Sequence, residues 1–312
     1  MRVLFFGTPE VAVPFLELLA KSHDVAAVVS QPDKPAGRGL SLAPTPVKRK
    51  ALELGLKVLQ PEKPSQIAGE LKALGAELSV VVAYGRILKP EVLSAARLGA
   101  LNVHFSLLPK FRGAAPVQWS LVRGETRTGV TLFWLDEGMD TGPVFLMKET
   151  EVGPDEDAGE LMGRLQALGL AALDEALAKL ARGQIERMPQ RGEPSPAPLI
   201  KREDALVSWA RPAREIHNLV RGFRVWPRAC LQVNGQRVLI LKTRLEPEPA
   251  PRSGGGRPGA IMRIDRTGPV LVECADGSCL WLLVVQPEGK KPVNAAEFLN
   301  GLRLGAGDFL SA

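Results

Sequence analysis

A chain of 312 residues is long enough for two domains or one large one; at 45% hydrophobic and 24% charged it has the composition of a folded globular protein, and no apolar run approaches the roughly 20 residues that span a bilayer. Cysteines (Cys230, Cys274, Cys279) and histidines (His23, His104, His217) are too sparse for a disulfide framework or a zinc cluster, so a reducing, cytoplasmic setting and no metal are expected. Residues 1–200 balance at 23 Lys+Arg against 23 Asp+Glu, whereas residues 201–312 hold 17 against 11, a basic excess that suits either a polyanionic partner or an Arg-biased solvated surface.

From the amino terminus, short apolar runs alternate with helical patterns. The opening Met1–Gly7 reads as a first strand and not as a signal-peptide core. Strands are predicted at Val3–Phe6, Val25–Ser30, Leu56–Leu59, Leu78–Ala83 and Ala100–His104, with helices at Val11–Ala20, Val47–Leu54, Ser65–Leu74 and Glu91–Ala96. This alternation predicts a doubly wound, mostly parallel sheet, and Val28-Val29 and Val80-Val81-Val82 read as strands buried on both faces. Strands at Gly129–Leu135 and Val144–Thr150 and a long helix at Ala158–Ala181 complete a first domain, residues 1–188. Residues 189–204, with Pro189, Pro194, Pro196, Pro198 and Gly192, read as an extended linker. In residues 205–312 a helix is expected at Ala213–Phe223. Asn234-Gly235 predicts a hairpin between Ala229–Val233 and Gln236–Leu241. Further turns at Gly254-Gly255-Gly256 and Asp276-Gly277 mark short strands of a small β-barrel.

Asn102 and His104 are two apart at the end of the fifth strand, so they project together at the carboxyl edge of the sheet, where ligands of such sheets bind. An amide beside an imidazole forms an oxyanion-stabilising pair, although the same two residues taken alone also serve to satisfy loop backbone groups. The acidic turn Asp136–Gly142 is either a solvated hairpin or the source of a carboxylate beside His104, which would favour the imidazolium. Gly7-Thr8-Pro9 lacks the spacing of dinucleotide- or ATP-binding loops, and no serine nucleophile elbow is present. The loop Gln31–Gly39 is an exposed segment that suits a basic finger on a phosphate backbone and equally an ordinary surface loop. Arg214, Arg221 and Arg224 fall on one side of a helix, which suits nucleic-acid contact or simple solvation.

Together these segments resemble the folate-dependent formyltransferases, and among them the branch that formylates methionyl-tRNA. The resemblance is carried by Phe6–Pro9, Gln31–Gly39, Pro44–Lys48, Val81–Gly85, Leu101–Pro109, Arg112–Pro116, Asp136–Gly142, Trp226-Pro227 and Pro287–Lys291. It implies a formyltransferase-type doubly wound domain followed by a barrel of oligonucleotide-binding type. It also implies a catalytic trio of Asn102, His104 and Asp140, and a folate-binding segment Ser106, Leu107, Leu108 and Pro109. Val82, Ala83, Tyr84, Gly85 and Gly138 would wall the pteridine, and Lys34 and Arg38 would engage the tRNA acceptor end. Three residues depart from the family pattern, Phe105, Phe111 and Val225, and none of them removes a catalytic group.

The implied reaction moves the formyl group of 10-formyltetrahydrofolate to the amino group of initiator methionyl-tRNA. Asn102 and a protonated His104 would donate to the oxyanion, and Asp140 would orient His104 and relay a proton. A basic barrel would bring the tRNA to the pocket, with no metal, no membrane and a monomer sufficing. The rival readings are formyl transfer to another acceptor, hydrolysis of formyl-folate, and an RNA-binding module on an inactive sheet.

Overall fold

The computed structural model describes residues 1–36, 41–246 and 257–310. Arg38 and the Gly254–Gly256 turn lie outside the described residues. The chain divides into two compact units, neither contiguous in sequence. The first comprises Met1–Pro116, Arg127–Glu151 and Gly163–Pro198, and the second Val117–Thr126, Val152–Met162 and Leu199–Ala312.

Strands of the first unit are β1 (Arg2–Gly7), β2 (Asp24–Val29), β3 (Lys34–Ala36), β4 (Ser41–Ala43), β5 (Val58–Leu59), β6 (Leu78–Val82), β7 (Ala100–His104), β8 (Arg112–Gly113), β9 (Arg127–Trp134), β10 (Val144–Glu151) and β11 (Pro196–Ala197). Seven of them form one sheet in the order β10-β9-β7-β6-β1-β2-β5. The pairs from β5 to β7 are parallel, and β9 runs antiparallel to both β7 and β10. Every residue of β6 is buried, as the run Val80-Val81-Val82 leads one to expect, and Ser79 is buried with it.

The order of the strands places the site. From β1 the chain steps outward through β2 to β5, then returns to β6 on the other side of β1. This reversal opens a crevice beyond the carboxyl ends of β1 and β6, the position where open α/β sheets bind ligands.

Helices α1 (Val13–Ser22), α2 (Pro46–Glu53), α3 (Ala68–Ala73) and α4 (Pro90–Leu93) fill the connections. α2 starts where it does because Thr45 accepts from the Lys48 amide at 3.2 Å and Pro46 pre-sets the first turn. α5 (Pro116–Val122) and α6 (Ala158–Ala181) follow. Gly169 of α6 lets Phe15 of α1 approach closely, since a Cβ there would lie 3.1 Å from the Phe15 ring.

The second unit contains α7 (Ala213–Gly222), β12 (Cys230–Val233), β13 (Gln236–Leu245), β14 (Ile261–Ile264), β15 (Val270–Glu273), β16 (Cys279–Pro287), β17 (Val293–Asn294) and α8 (Ala295–Leu302). Its six strands form one antiparallel sheet along β12-β13-β16-β15-β14, with β17 on β16. Asn234 and Gly235, at φ 51° and 76°, make the tight turn between β12 and β13 that their dipeptide predicts. No pairing joins β12 to β14 among the described residues. No helix among them is long and apolar enough to cross a membrane.

Candidate active site

A cavity of about 530 Å³ opens at the carboxyl edge of the sheet, lined from β6, β7 and the segments that follow them, with Pro9 just after β1. Most of its lining is apolar, including Val81, Ala83, Ile87, Leu88, Leu93 and Leu135, with Arg86 among them. Asn102, His104 and Asp140 line the same cavity, as do Pro9, Gly113, Ala114 and Pro116. The trio expected from sequence therefore shares one cavity, although its members come from a strand and from a turn more than 30 residues later.

β7 positions Asn102 half-buried and His104 buried. The His104 imidazole lies edge-on to Phe133, with ring centroids 6.1 Å apart. Its Nε2 is 2.9 Å from the carbonyl oxygen of Phe111. A carbonyl only accepts, so Nε2 carries the hydrogen and donates it. Nδ1 is thereby the nitrogen left to face Asp140, whose Oδ2 lies 3.7 Å away. That distance is beyond a direct hydrogen bond but within ion-pair range, so the Phe111 carbonyl takes the ring's hydrogen bond while the carboxylate stands beside Nδ1.

Asp140 has its own anchor. Its Oδ2 accepts from the backbone amide of Gly113 at 2.7 Å. Gly113 has to be glycine, because its φ is +125° and a Cβ would fall 2.5 Å from the carbonyl oxygen of Ala197. Asp136 shapes the rest of the turn by accepting from the Gly138 amide at 3.1 Å and the Thr141 hydroxyl at 2.7 Å.

The folate-binding expectation divides. Ala83, Tyr84, Gly85 and Gly138 line the cavity, whereas Val82 is buried within β6 and does not. Ser106, Leu107, Leu108 and Pro109 do not line it either. Ser106 donates to the Lys110 carbonyl at 2.7 Å, and Thr131 donates to the Ser106 carbonyl at 2.7 Å while accepting from the Leu108 amide at 3.1 Å. These bonds make the segment a braced turn that delivers Phe111 to His104. Tyr84 is buried edge-on to Phe6, and burial pushes its phenol above the ordinary range. The departure at residue 105 is accommodated in the same region, because the Phe105 ring packs edge-on to Phe15 at 6.3 Å, where Gly169 has made room.

Sequence reasoning did not find three groups: the carbonyl of Phe111, the amide of Gly113 and the side chain of Gln190. Two of these are backbone atoms, which no residue pattern announces, and the third lies in a segment read as linker.

Among the cations expected to meet nucleic acid, Lys34 is exposed at the root of its loop, with Nζ 3.2 Å from Gln31 Oε1. Arg214 is exposed as well. Arg221 corrects the expected solvent-facing stripe. α7 is buried on all sides from Ile216 to Gly222, and the guanidinium donates to Asn218 Oδ1 at 2.9 Å and to the carbonyls of Gly153 and Glu156 at 2.9 and 3.3 Å. Arg224 follows the end of α7, so the helical spacing no longer applies to it, and it lies 3.8 Å from Asp157. Among the described residues no group of three or more His, Cys, Asp or Glu is placed to hold a metal.

A family model described as formyl transferase matches residues 1–177, and one described as formyl transferase, C-terminal domain, matches residues 199–303. A methionyl-tRNA formyltransferase of Solibacter usitatus is 47% identical over 311 residues, covering 97% of this chain and 96% of its own. One of Elusimicrobium minutum is 44% identical over 338 residues, covering 99% of both chains. The crystal structure of an N-formyltransferase from Helicobacter canadensis, in complex with folinic acid and dTDP-3-aminofucose, superimposes with a TM-score of 0.69 at 20% identity, covering 91% of this chain and 98% of its own. That last likeness is one of fold.

Proposed function

This chain belongs to the formyl transferase family in both of its parts, and we infer that it formylates the amino group of methionyl-tRNA. The observation that carries the reading is the meeting of Asn102, His104 and Asp140 in one cavity whose lining is otherwise mostly apolar. A pocket of this size and lining suits a flat heterocycle held by apolar walls and a few polar atoms.

The formyl donor in this reading is 10-formyltetrahydrofolate, which supplies an electrophilic carbon. Ala83, Tyr84, Gly85 and Gly138 would hold it, with its formyl carbon toward the trio. Asn102 donates its side-chain amide to the oxyanion that develops when the methionyl amine attacks. His104, with Nε2 committed to Phe111, adds a donor through a protonated Nδ1. Asp140 takes the proton released by the attacking amine, and the departing nitrogen recovers one, so that no net proton is lost. Lys34 and Arg214, with Arg38, meet the phosphate backbone, and the sheet of the second unit serves as a barrel of oligonucleotide-binding type that holds the acceptor arm.

The test is formyl transfer from 10-formyltetrahydrofolate to purified methionyl-tRNA. Wild-type protein should transfer the group, and Asn102→Ala should keep tRNA affinity while losing roughly 10²- to 10³-fold in kcat. Near-normal turnover in that variant would remove the oxyanion role. Transfer to a sugar amine or to water, with none to tRNA, would move the acceptor.

A further inference from the structure

Residues 188–198 form a strap along the first unit. Met188 and Val144 exchange backbone hydrogen bonds at 2.7 and 2.9 Å, and Ala197 accepts from the Ala115 amide at 3.2 Å. Between these anchors, Gln190 uses the whole capacity of its amide. Nε2 donates to the carbonyls of Asp140 at 2.8 Å and Gly142 at 2.9 Å, and Oε1 accepts from Arg112 Nε at 3.2 Å and Nη2 at 2.7 Å. A primary amide has two N–H groups and two lone pairs, and all four are engaged. A spacer between domains needs none of this.

The strap also reaches the other catalytic partner. Ser195 Oγ accepts from the Phe111 amide at 2.9 Å, and its carbonyl accepts from the Arg112 amide at 2.8 Å. Phe111 and Asp140 are both in the left-handed backbone region, at φ 60° and 54°. Residues other than glycine persist there only where surrounding bonds over-determine them. One of these two residues orients His104 through its carbonyl, and the other presents the carboxylate. We propose that the strap is a positioning element of the active site, with Gln190 holding Asp140 and Ser195 holding Phe111 and, through it, His104. This rests on the roles assigned above to His104 and Asp140.

The experiment uses full-length Gln190→Leu, Gln190→Glu, Ser195→Ala and Ser195→Thr, assayed with 10-formyltetrahydrofolate and methionyl-tRNA. Gln190→Leu and Ser195→Ala should each lower kcat on the order of tenfold, leave both KM values within about twofold, and shift the pH–rate profile. Ser195→Thr keeps the acceptor and should restore kcat. Gln190→Glu keeps the Arg112 contact but loses both donors, so it should behave as Gln190→Leu. Unchanged kcat in Gln190→Leu and Ser195→Ala overturns the proposal, and so does a rise in KM with kcat intact. A wild-type protein that formylates no methionyl-tRNA sinks the assigned reaction but not the strap. The strap is then judged by hydrogen exchange of the 138–142 amides, which Gln190→Leu must accelerate roughly tenfold. Exchange at the wild-type rate overturns it.

Discussion

The 2.9 Å bond from His104 Nε2 to the Phe111 carbonyl leaves Nδ1 as the ring nitrogen that faces Asp140. With Nε2 committed to an acceptor that cannot donate, Nδ1 is the ring nitrogen left free to exchange a proton in the proposed reaction. The tautomer is therefore fixed by a backbone atom seven residues along the chain.

His104→Gln separates the two nitrogens. Its amide can still donate to the Phe111 carbonyl, but it offers nothing where Nδ1 stands. The variant should fold with an unchanged melting temperature and lose roughly 10²- to 10⁴-fold in kcat. Activity within tenfold of wild type would show that Nδ1 has no chemical part.

Gly85 lies where the cavity wall meets the root of the 31–36 segment. The Tyr84 carbonyl accepts from Gln31 Nε2 at 2.8 Å and from the Thr8 hydroxyl at 3.0 Å. At Gly85 φ is +78°, and a Cβ would fall 2.7 Å from that same Gln31 nitrogen. Gly85→Ala should therefore both strain the turn and expel Gln31, weakening 5-formyltetrahydrofolate binding by about tenfold in calorimetric titration. Wild-type affinity would mean that this wall yields without cost.

Arg214 and Arg221 share a helix and should fail differently. Arg221→Ala removes the three hydrogen bonds of a buried guanidinium, to Asn218 and to the Gly153 and Glu156 carbonyls, and should cost about 3 kcal/mol of stability, read as a lowered denaturation midpoint. Arg214→Ala should leave the midpoint unchanged, weaken tRNA binding and reduce the slope of log affinity against log salt by about one. An unchanged salt slope would remove Arg214 from the nucleic-acid surface.

His217 carries a pH signature. Its Nδ1 lies 2.9 Å from the Thr243 hydroxyl, and Nε2 lies 3.2 Å from the Pro154 carbonyl and 3.3 Å from Asp155 Oδ1. Burial holds its pKa below the ordinary value of 6.5, against the raising effect of the Pro154 bond. As pH falls, the unfolded chain binds the proton before the folded one does. The contribution of the neutral ring is thus complete above pH about 6.5 and is lost progressively below it. Urea midpoints between pH 7.5 and 5 should fall more steeply for wild type than for His217→Asn. Equal slopes would show that the ring does not titrate differently on folding.

Much of this was legible in the residues themselves. The valine runs at 28–29 and 80–82 and the alternation of strand and helix declared a buried parallel sheet, and Asn234-Gly235 declared its hairpin, because strand burial and turn sterics act over a few residues. The side-by-side projection of Asn102 and His104 followed from the strand period alone. The sequence could not say that Gln190 closes on Arg112 and Asp140, 78 and 50 residues away, nor that Arg221 turns into carbonyls of residues 153 and 156. Spacing rules describe neighbours on one element. Hydrogen bonds across such separations depend on where separate segments come to rest, and packing of the whole chain decides that.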